Sequence, residues 1–93
     1  MARPSVLACE AIVYELQDWI ERRNDIGMLP MAWCTFSARS TEVGVGPFTL
    51  WDTENGYSNG SENDELTVEG CLGALTDSID ELKPFCKRRR SER

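Results

Sequence analysis

Between Val6 and Ile20 the apolar residues Val6, Cys9, Ile12, Val13, Leu16, Trp19 and Ile20 recur at intervals of three and four. At about 100° per residue they fall on one side of a helix, and Glu10, Tyr14, Glu15, Gln17, Asp18 and Glu21 take the other. A stripe of this kind is stable only when covered, so the chain needs a second layer against it. The helix is expected to run from Ser5 to Asn24. Pro4 suits its entry, and Asn24-Asp25 with Gly27 suits its exit. Arg22 and Arg23 in the last turn complement the helix dipole.

After Pro30 the period changes. Residues 31–38, MAWCTFSA, are aromatic-rich and free of breakers, which predicts a strand with Cys34 and Phe36 on one face and Trp33 and Thr35 on the other. Arg39 to Glu42 is polar and is expected to turn the chain. VGVGPFTLW (43–51) reads as one second strand, kinked or bulged at Gly44, Gly46 and Pro47 and lying at a sheet edge there, because proline cannot donate to a ladder. Asn55-Gly56 is the signature of a type I′ hairpin, with Tyr57-Ser58 opening a short third strand.

A last helix is expected from Thr67 to Leu82. Thr67 is its N-cap, and Val68, Cys71, Leu72, Leu75, Ile79 and Leu82 form its buried stripe, with Pro84 ending it. Gly70 and Gly73 fall away from that stripe. Each costs about 1 kcal/mol against alanine in a helix interior, so either that cost is tolerated or another backbone approaches this face closely. The fold class is therefore α+β, a small antiparallel sheet of two to three strands flanked by an N-terminal and a C-terminal helix. Residues 1–84 form one compact domain, and 85–93 form a basic tail with little beyond Phe85 to bury.

Composition removes most chemistries. The chain has no histidine, so Cys–His and Ser–His catalysis lack their base. Its four cysteines, at 9, 34, 71 and 86, show no CxxC pairing and are expected to be reduced core thiols rather than zinc ligands. Neither Asn-Gly pair in 51–70 sets an EF-hand register. Gly44-x-Gly46 lacks the third glycine of a dinucleotide fingerprint. A domain of 93 residues leaves no room for a deep cleft around paired carboxylates. Val6-Leu7-Ala8-Cys9 spells a lipoprotein signal without its apolar run, and no run approaches a membrane span, so the expected location is the cytoplasm of a bacterial host. The expectation is a non-enzyme with no cofactor, no metal and no small-molecule substrate.

Charge is the most informative feature. Residues 1–82 carry four basic and fifteen acidic groups, whereas 83–93 carry six basic groups against Glu92. From Ser40 to Leu82 there are ten carboxylates and no Lys or Arg. One reading is solubility. The sharper one is a recognition surface in which Asp52, Glu54, Glu62, Asp64, Glu65, Glu69, Asp77 and Asp80 imitate phosphates for a protein partner with a basic, nucleic-acid-binding groove. Trp51 and Tyr57 would anchor that contact. Two alternatives stand beside it. One is an assembly protein forming a homodimer through an exposed Trp face or an edge strand. The other is a weak nucleic-acid binder working through Lys87-Arg88-Arg89-Arg90.

An acidic chain of this size, with a small sheet ending in GYSNGS and a TVEGCLGALTDSIDEL helix, resembles small phage-encoded accessory proteins, among them anti-CRISPR proteins. The resemblance spans residues 31–82. It implies an inhibitor without catalytic residues that occupies a guide- or DNA-binding groove of a Cas surveillance complex. The basic tail departs from pure mimicry of DNA.

Overall fold

The computed structural model describes residues 3–23, 31–60 and 65–85. Helix α1 (Val6–Arg22) is followed by strands β1 (Ala32–Phe36), β2 (Thr41–Val45), β3 (Phe48–Asp52) and β4 (Gly56–Tyr57). Helices α2 (Val68–Asp77) and α3 (Ile79–Leu82) and a 3₁₀ turn (Lys83–Phe85) close the described chain. The four strands form one antiparallel sheet in sequential order. The α+β expectation holds, with one strand more than expected.

Helix α1 starts at a cap. Ser5 is extended, and its hydroxyl accepts from the Ala8 N–H at 3.1 Å. Cys9, Ile12, Leu16 and Ile20 are buried and Val13 and Trp19 pack against them, as the stripe predicts, while Val6 stays half exposed. The Asn24-to-Gly27 exit lies outside the described residues.

Directly opposed residues of the sheet share a face. Ala32 faces Val45, Cys34 faces Val43, and Val43 faces Trp51, which in turn faces Tyr57. These residues build the inner face, where α1 and α2 lie side by side. Trp33, Gly44 and Thr49 occupy the outer face. Gly44 makes a flat bed there for the Trp33 indole, whose Nε1–H donates to the Gly46 carbonyl at 2.7 Å. Any Cβ at 44 would collide with that ring and with the Phe48 carbonyl oxygen.

Segment 43–51 is two strands, not one. Gly46 has φ of 55° and precedes Pro47, and positive then negative φ is the pattern of a type II′ hairpin turn. The pair therefore reverses the chain rather than kinking it. Thr41 and Glu42, expected in a turn, belong to β2, and the reversal before them occupies 37–40. The irregularity expected near Gly44 is real. Val43 opposes Trp51 and Gly44 opposes Thr49, which leaves Leu50 as the extra residue of a bulge. Two consecutive residues, Leu50 and Trp51, are thereby both fully buried, which strict alternation would forbid.

The β3–β4 connection is not a type I′ turn either, since Asn55 does not adopt positive φ. Asp52 Oδ1 instead accepts from the backbone N–H of Glu54 at 2.9 Å and of Asn55 at 2.6 Å. Gly56 then takes φ of 72°, giving a three-residue loop closed by a left-handed glycine.

At the C-terminal side Thr67 caps α2 as expected, its hydroxyl accepting from the Gly70 N–H at 3.0 Å. The helix does not run unbroken to Leu82. Thr76 turns its hydroxyl back to the Leu72 carbonyl at 2.8 Å, and the Ser78 N–H is shared among the carbonyls of Ala74, Leu75 and Thr76. Short polar side chains that compete for backbone groups favour such ends, so the path changes at Ser78 and resumes in α3. Leu82 is still fully buried, and Phe85 stacks edge-on against Phe48 with centroids 5.9 Å apart.

One contact ties the two ends of this layer. The Arg3 guanidinium donates from Nε to Thr41 Oγ1 at 2.9 Å, from one terminal nitrogen to the Ala38 carbonyl, and from the other to the carbonyls of Ser37 and Ser40. It also lies 5.5 Å from the centre of the Phe36 ring. Thr41, the one buried polar residue among those described, is otherwise braced by Thr53, whose hydroxyl accepts from the Thr41 N–H at 2.9 Å. Among the described residues, no helix is long and apolar enough to cross a membrane.

Candidate functional site

The sheet, the caps and the glycines decide where each acidic side chain points. Glu69 and Asp77 sit eight residues apart on α2, about 80° apart around its axis, with Gly73 between them on the exposed side. Asn59, just after β4, leans onto this stripe and donates its amide to Asp77 Oδ2 at 3.3 Å. Glu65, which precedes the cap, is exposed next to the start of the helix. Glu65 and Glu69 stand at the start of α2 and Asp77 at its end, about 12 Å further along the same side.

The others are elsewhere. Asp52 is half-buried and committed to its own turn, where it also accepts from the Asn55 amide at 3.2 Å. Glu54 stands exposed at the tip of the β3–β4 loop. Asp80 lies on α3 and pairs with Lys83 at 3.0 Å. Glu62 and Asp64 lie outside the described residues. The expected acidic set is thus a cluster on α2 plus separate groups, not one continuous row.

The two expected anchors are corrected outright. Trp51 is 0% and Tyr57 4% exposed, so neither offers a surface to a partner. The bulge turns Trp51 inward with Leu50, and Tyr57 is the cross-strand neighbour of Trp51. The Tyr57 hydroxyl donates to the Glu65 carbonyl at 2.8 Å and accepts from the Thr67 N–H at 2.7 Å, with Thr67 Oγ1 3.2 Å away. Burial pushes the phenol pKa up, and the Thr67 contacts partly oppose that.

This pairing also explains Gly70. A Cβ there would fall inside contact distance of the Tyr57 Cζ and hydroxyl, and 2.8 Å from Cε1. Core packing requires the glycine, and the approaching group is a ring rather than a second backbone. Gly73 is different, because its nearest neighbour would be the Asn59 amide nitrogen at 3.8 Å.

The cysteines carry no visible chemistry. Cys9, Cys34 and Cys71 are free thiols, and Cys86 lies outside the described residues. Burial pushes Cys71 up to about 12, with Cys9 adding to the shift. Burial also raises Cys9 and Cys34, reinforced by Cys34 in the first case and by Glu10 in the second, while Arg3 opposes the rise at Cys9. Thiols held protonated are poor nucleophiles. Among the described residues no group of three or more Cys, Asp or Glu is placed to hold a metal ion. A recess of about 350 Å³ beside α1 is lined by Tyr14, Gln17, Asp18 and Glu21, and Asp18 there already pairs with Arg22 at 3.1 Å.

Against family models, curated proteins and solved structures, the chain has no match. Its residues alone must carry the reading. They offer exposed carboxylates on and beside a helix capped by Thr67. Such a surface can recognise positive charge and can speed encounter with it.

Proposed function

We propose that this chain is a non-enzymatic interaction protein whose acidic face binds the basic surface of a nucleic-acid-handling complex. In this reading it acts as an anti-CRISPR-like inhibitor, in place of nucleic acid on a Cas surveillance complex. One observation supports the reading above others: Glu65, Glu69 and Asp77 are exposed together on and beside α2, inside a stretch of forty-three residues without a single Lys or Arg. Solubility alone needs net charge but no such segregation. A guanidinium-lined groove would pair with these carboxylates at charge-assisted strength.

The buried state of Trp51 and Tyr57 shifts the load of recognition onto charge. Binding should therefore fall steeply with salt, since the screening length shrinks from about 8 Å to about 3 Å between about 0.15 M and about 1 M. The test is capture of partners from a bacterial lysate by the wild-type chain and by the Glu54→Lys, Glu69→Lys, Asp77→Lys variant, at low and moderate salt, with identification of the proteins retained. A nucleic-acid-binding complex held by the wild type, and released both by salt and by the reversal, is the expected result. Identical retention by the two chains, or none by either, removes the proposal.

A further inference from the structure

The two edges of the sheet are unlike each other. On one side β4 is two residues long, which is a common way to blunt an edge. On the other side β1 runs five residues, AWCTF, with no charge, no proline and no bulge of its own. Its two ends are guarded by side chains, Gln17 at Ala32 and the Arg3 guanidinium at Phe36.

The ladder fixes which of its backbone groups point outward. The Gly46 N–H donates to the Met31 carbonyl at 2.9 Å and the Ser37 N–H to the Ser40 carbonyl at 2.9 Å. Bonded and non-bonded pairs alternate in an antiparallel ladder. Trp33 and Thr35 therefore bond to β2, and Ala32, Cys34 and Phe36 turn their N–H and C=O groups away from it. The Ala32 N–H is met by the Gln17 side chain at 2.9 Å. Among the described residues, the N–H groups of Cys34 and Phe36 find no partner.

Two apolar side chains flank this edge. Met31 is 71% exposed just before the strand, and Phe36 is 36% exposed at its end. Helix α1 runs antiparallel above β1, with Arg3 at Phe36 and Gln17 at Ala32. Helical spacing puts exposed Val6 and Tyr14 on the same side of α1 as Gln17.

We propose that β1 is a pairing edge for a second copy of this chain, joined antiparallel about a two-fold axis at Cys34. In that register Cys34 meets Cys34 of the other copy, and Ala32 meets Phe36. The outward N–H groups of Cys34 and Phe36 gain carbonyl acceptors, and the two four-stranded sheets become one of eight. A two-fold axis also sets Val6 of one α1 beside Tyr14 of the other, burying both. The occupant is a second copy because the strand is uncharged and pairs with itself in register. The net charge of −6 on each copy opposes the approach, so the pairing depends on an uncharged contact. This surface is separate from the acids of α2, and its salt dependence is opposite. Screening should strengthen self-pairing and weaken capture of a basic partner.

The test uses the full chain carrying Cys86→Ser, which leaves half-buried Cys34 as the most exposed thiol beside buried Cys9 and Cys71. Sedimentation is followed over a wide concentration range at about 0.15 M and about 1 M salt, with a short bis-maleimide added in parallel. Expected are a dimer that gains population with salt, a covalent dimer formed through Cys34, and loss of the non-covalent dimer in the Cys34→Pro variant, which removes one outward N–H. A monomer at every concentration and both salts overturns the proposal. So does a dimer that persists in a folded Cys34→Pro variant, because its contact then lies elsewhere, for example on the Trp33 face. If the proline variant does not fold, as its circular dichroism will show, the sedimentation and cross-linking results decide alone.

Discussion

Replacing Gly70 with alanine should destabilise this protein, against the usual rule for helices. In an open helix interior the change gains about 1 kcal/mol. Here the new methyl group would sit inside the Tyr57 ring, so ring or helix must move. Moving the ring breaks the hydroxyl bonds to the Glu65 carbonyl and from the Thr67 N–H, each contributing about 1 kcal/mol net. Overpacking adds about 1–3 kcal/mol. Set against the helix gain, the net loss is about 2–4 kcal/mol, a large share of the roughly 5–10 kcal/mol expected for a small domain. Urea unfolding followed at 222 nm reads this directly. With a slope of about 1–1.5 kcal/mol per molar, the midpoint should fall by about 2 M. Gly73→Ala is the internal control, since among the described residues nothing lies closer than 3.8 Å to its new methyl group. It should raise the midpoint by something under about 1 M. A Gly70→Ala midpoint at or above wild type would refute the packing account of this glycine.

Arg3→Lys should fare almost as badly as Arg3→Ala, losing about 1–2 kcal/mol, because one ammonium cannot span Thr41 Oγ1 and three carbonyls. Faster amide exchange at Ser40 and Thr41 in both variants is the check. Thr67→Ala removes the α2 cap and one neighbour of the Tyr57 hydroxyl, and should lower stability by about 1–2 kcal/mol in chemical denaturation. The raised thiol pKa values set an alkaline limit. Unfolded Cys71 loses its proton near the ordinary thiol range while folded Cys71 keeps it up to about 12, so the folded state binds more protons between those values. Stability contributed by this group is complete below the unfolded pKa and falls as pH rises towards 12, with buried Cys9 acting in the same direction. Melting temperatures measured from pH 8 to about 11 should decline, and a Cys71→Ala variant should decline less steeply.

What the sequence discloses depends on how local the deciding interaction is. The α1 stripe and the Thr67 cap are set by neighbours three or four residues away, and both read correctly. The Gly46-Pro47 reversal was also local, but a glycine that bends a strand and one that ends it look alike until the backbone angle is known. Asn55-Gly56 misleads because Asp52, three residues earlier, captures the turn first. Gly70 and Tyr57 are thirteen positions apart, and nothing in the spelling of either helix or strand joins them. The same distance effect hides Trp51, whose inward turn depends on a bulge opposite Val43 and Gly44. Acidic segregation was fully visible in the sequence, whereas the division of those acids into an α2 group, a loop tip and a paired Asp80 required the fold. The bare β1 edge had a signal too, in the uncharged run from Met31 to Phe36, but its exposure follows only from strand order.

The Arg3 clamp has a consequence for the order of events during synthesis. Its acceptors lie thirty-four to thirty-eight residues further along the chain, so a side chain made before the sheet waits for a turn made later. Closing a loop of that length costs only slightly more than closing a shorter one, because the entropy grows as the logarithm of length. Once Thr41 has emerged, α1 can dock on β1 and fasten the 37–40 reversal before β3 exists. The N-terminal half then presents a finished hairpin as a template, and the later strands and the acidic helix are added to it in sequence.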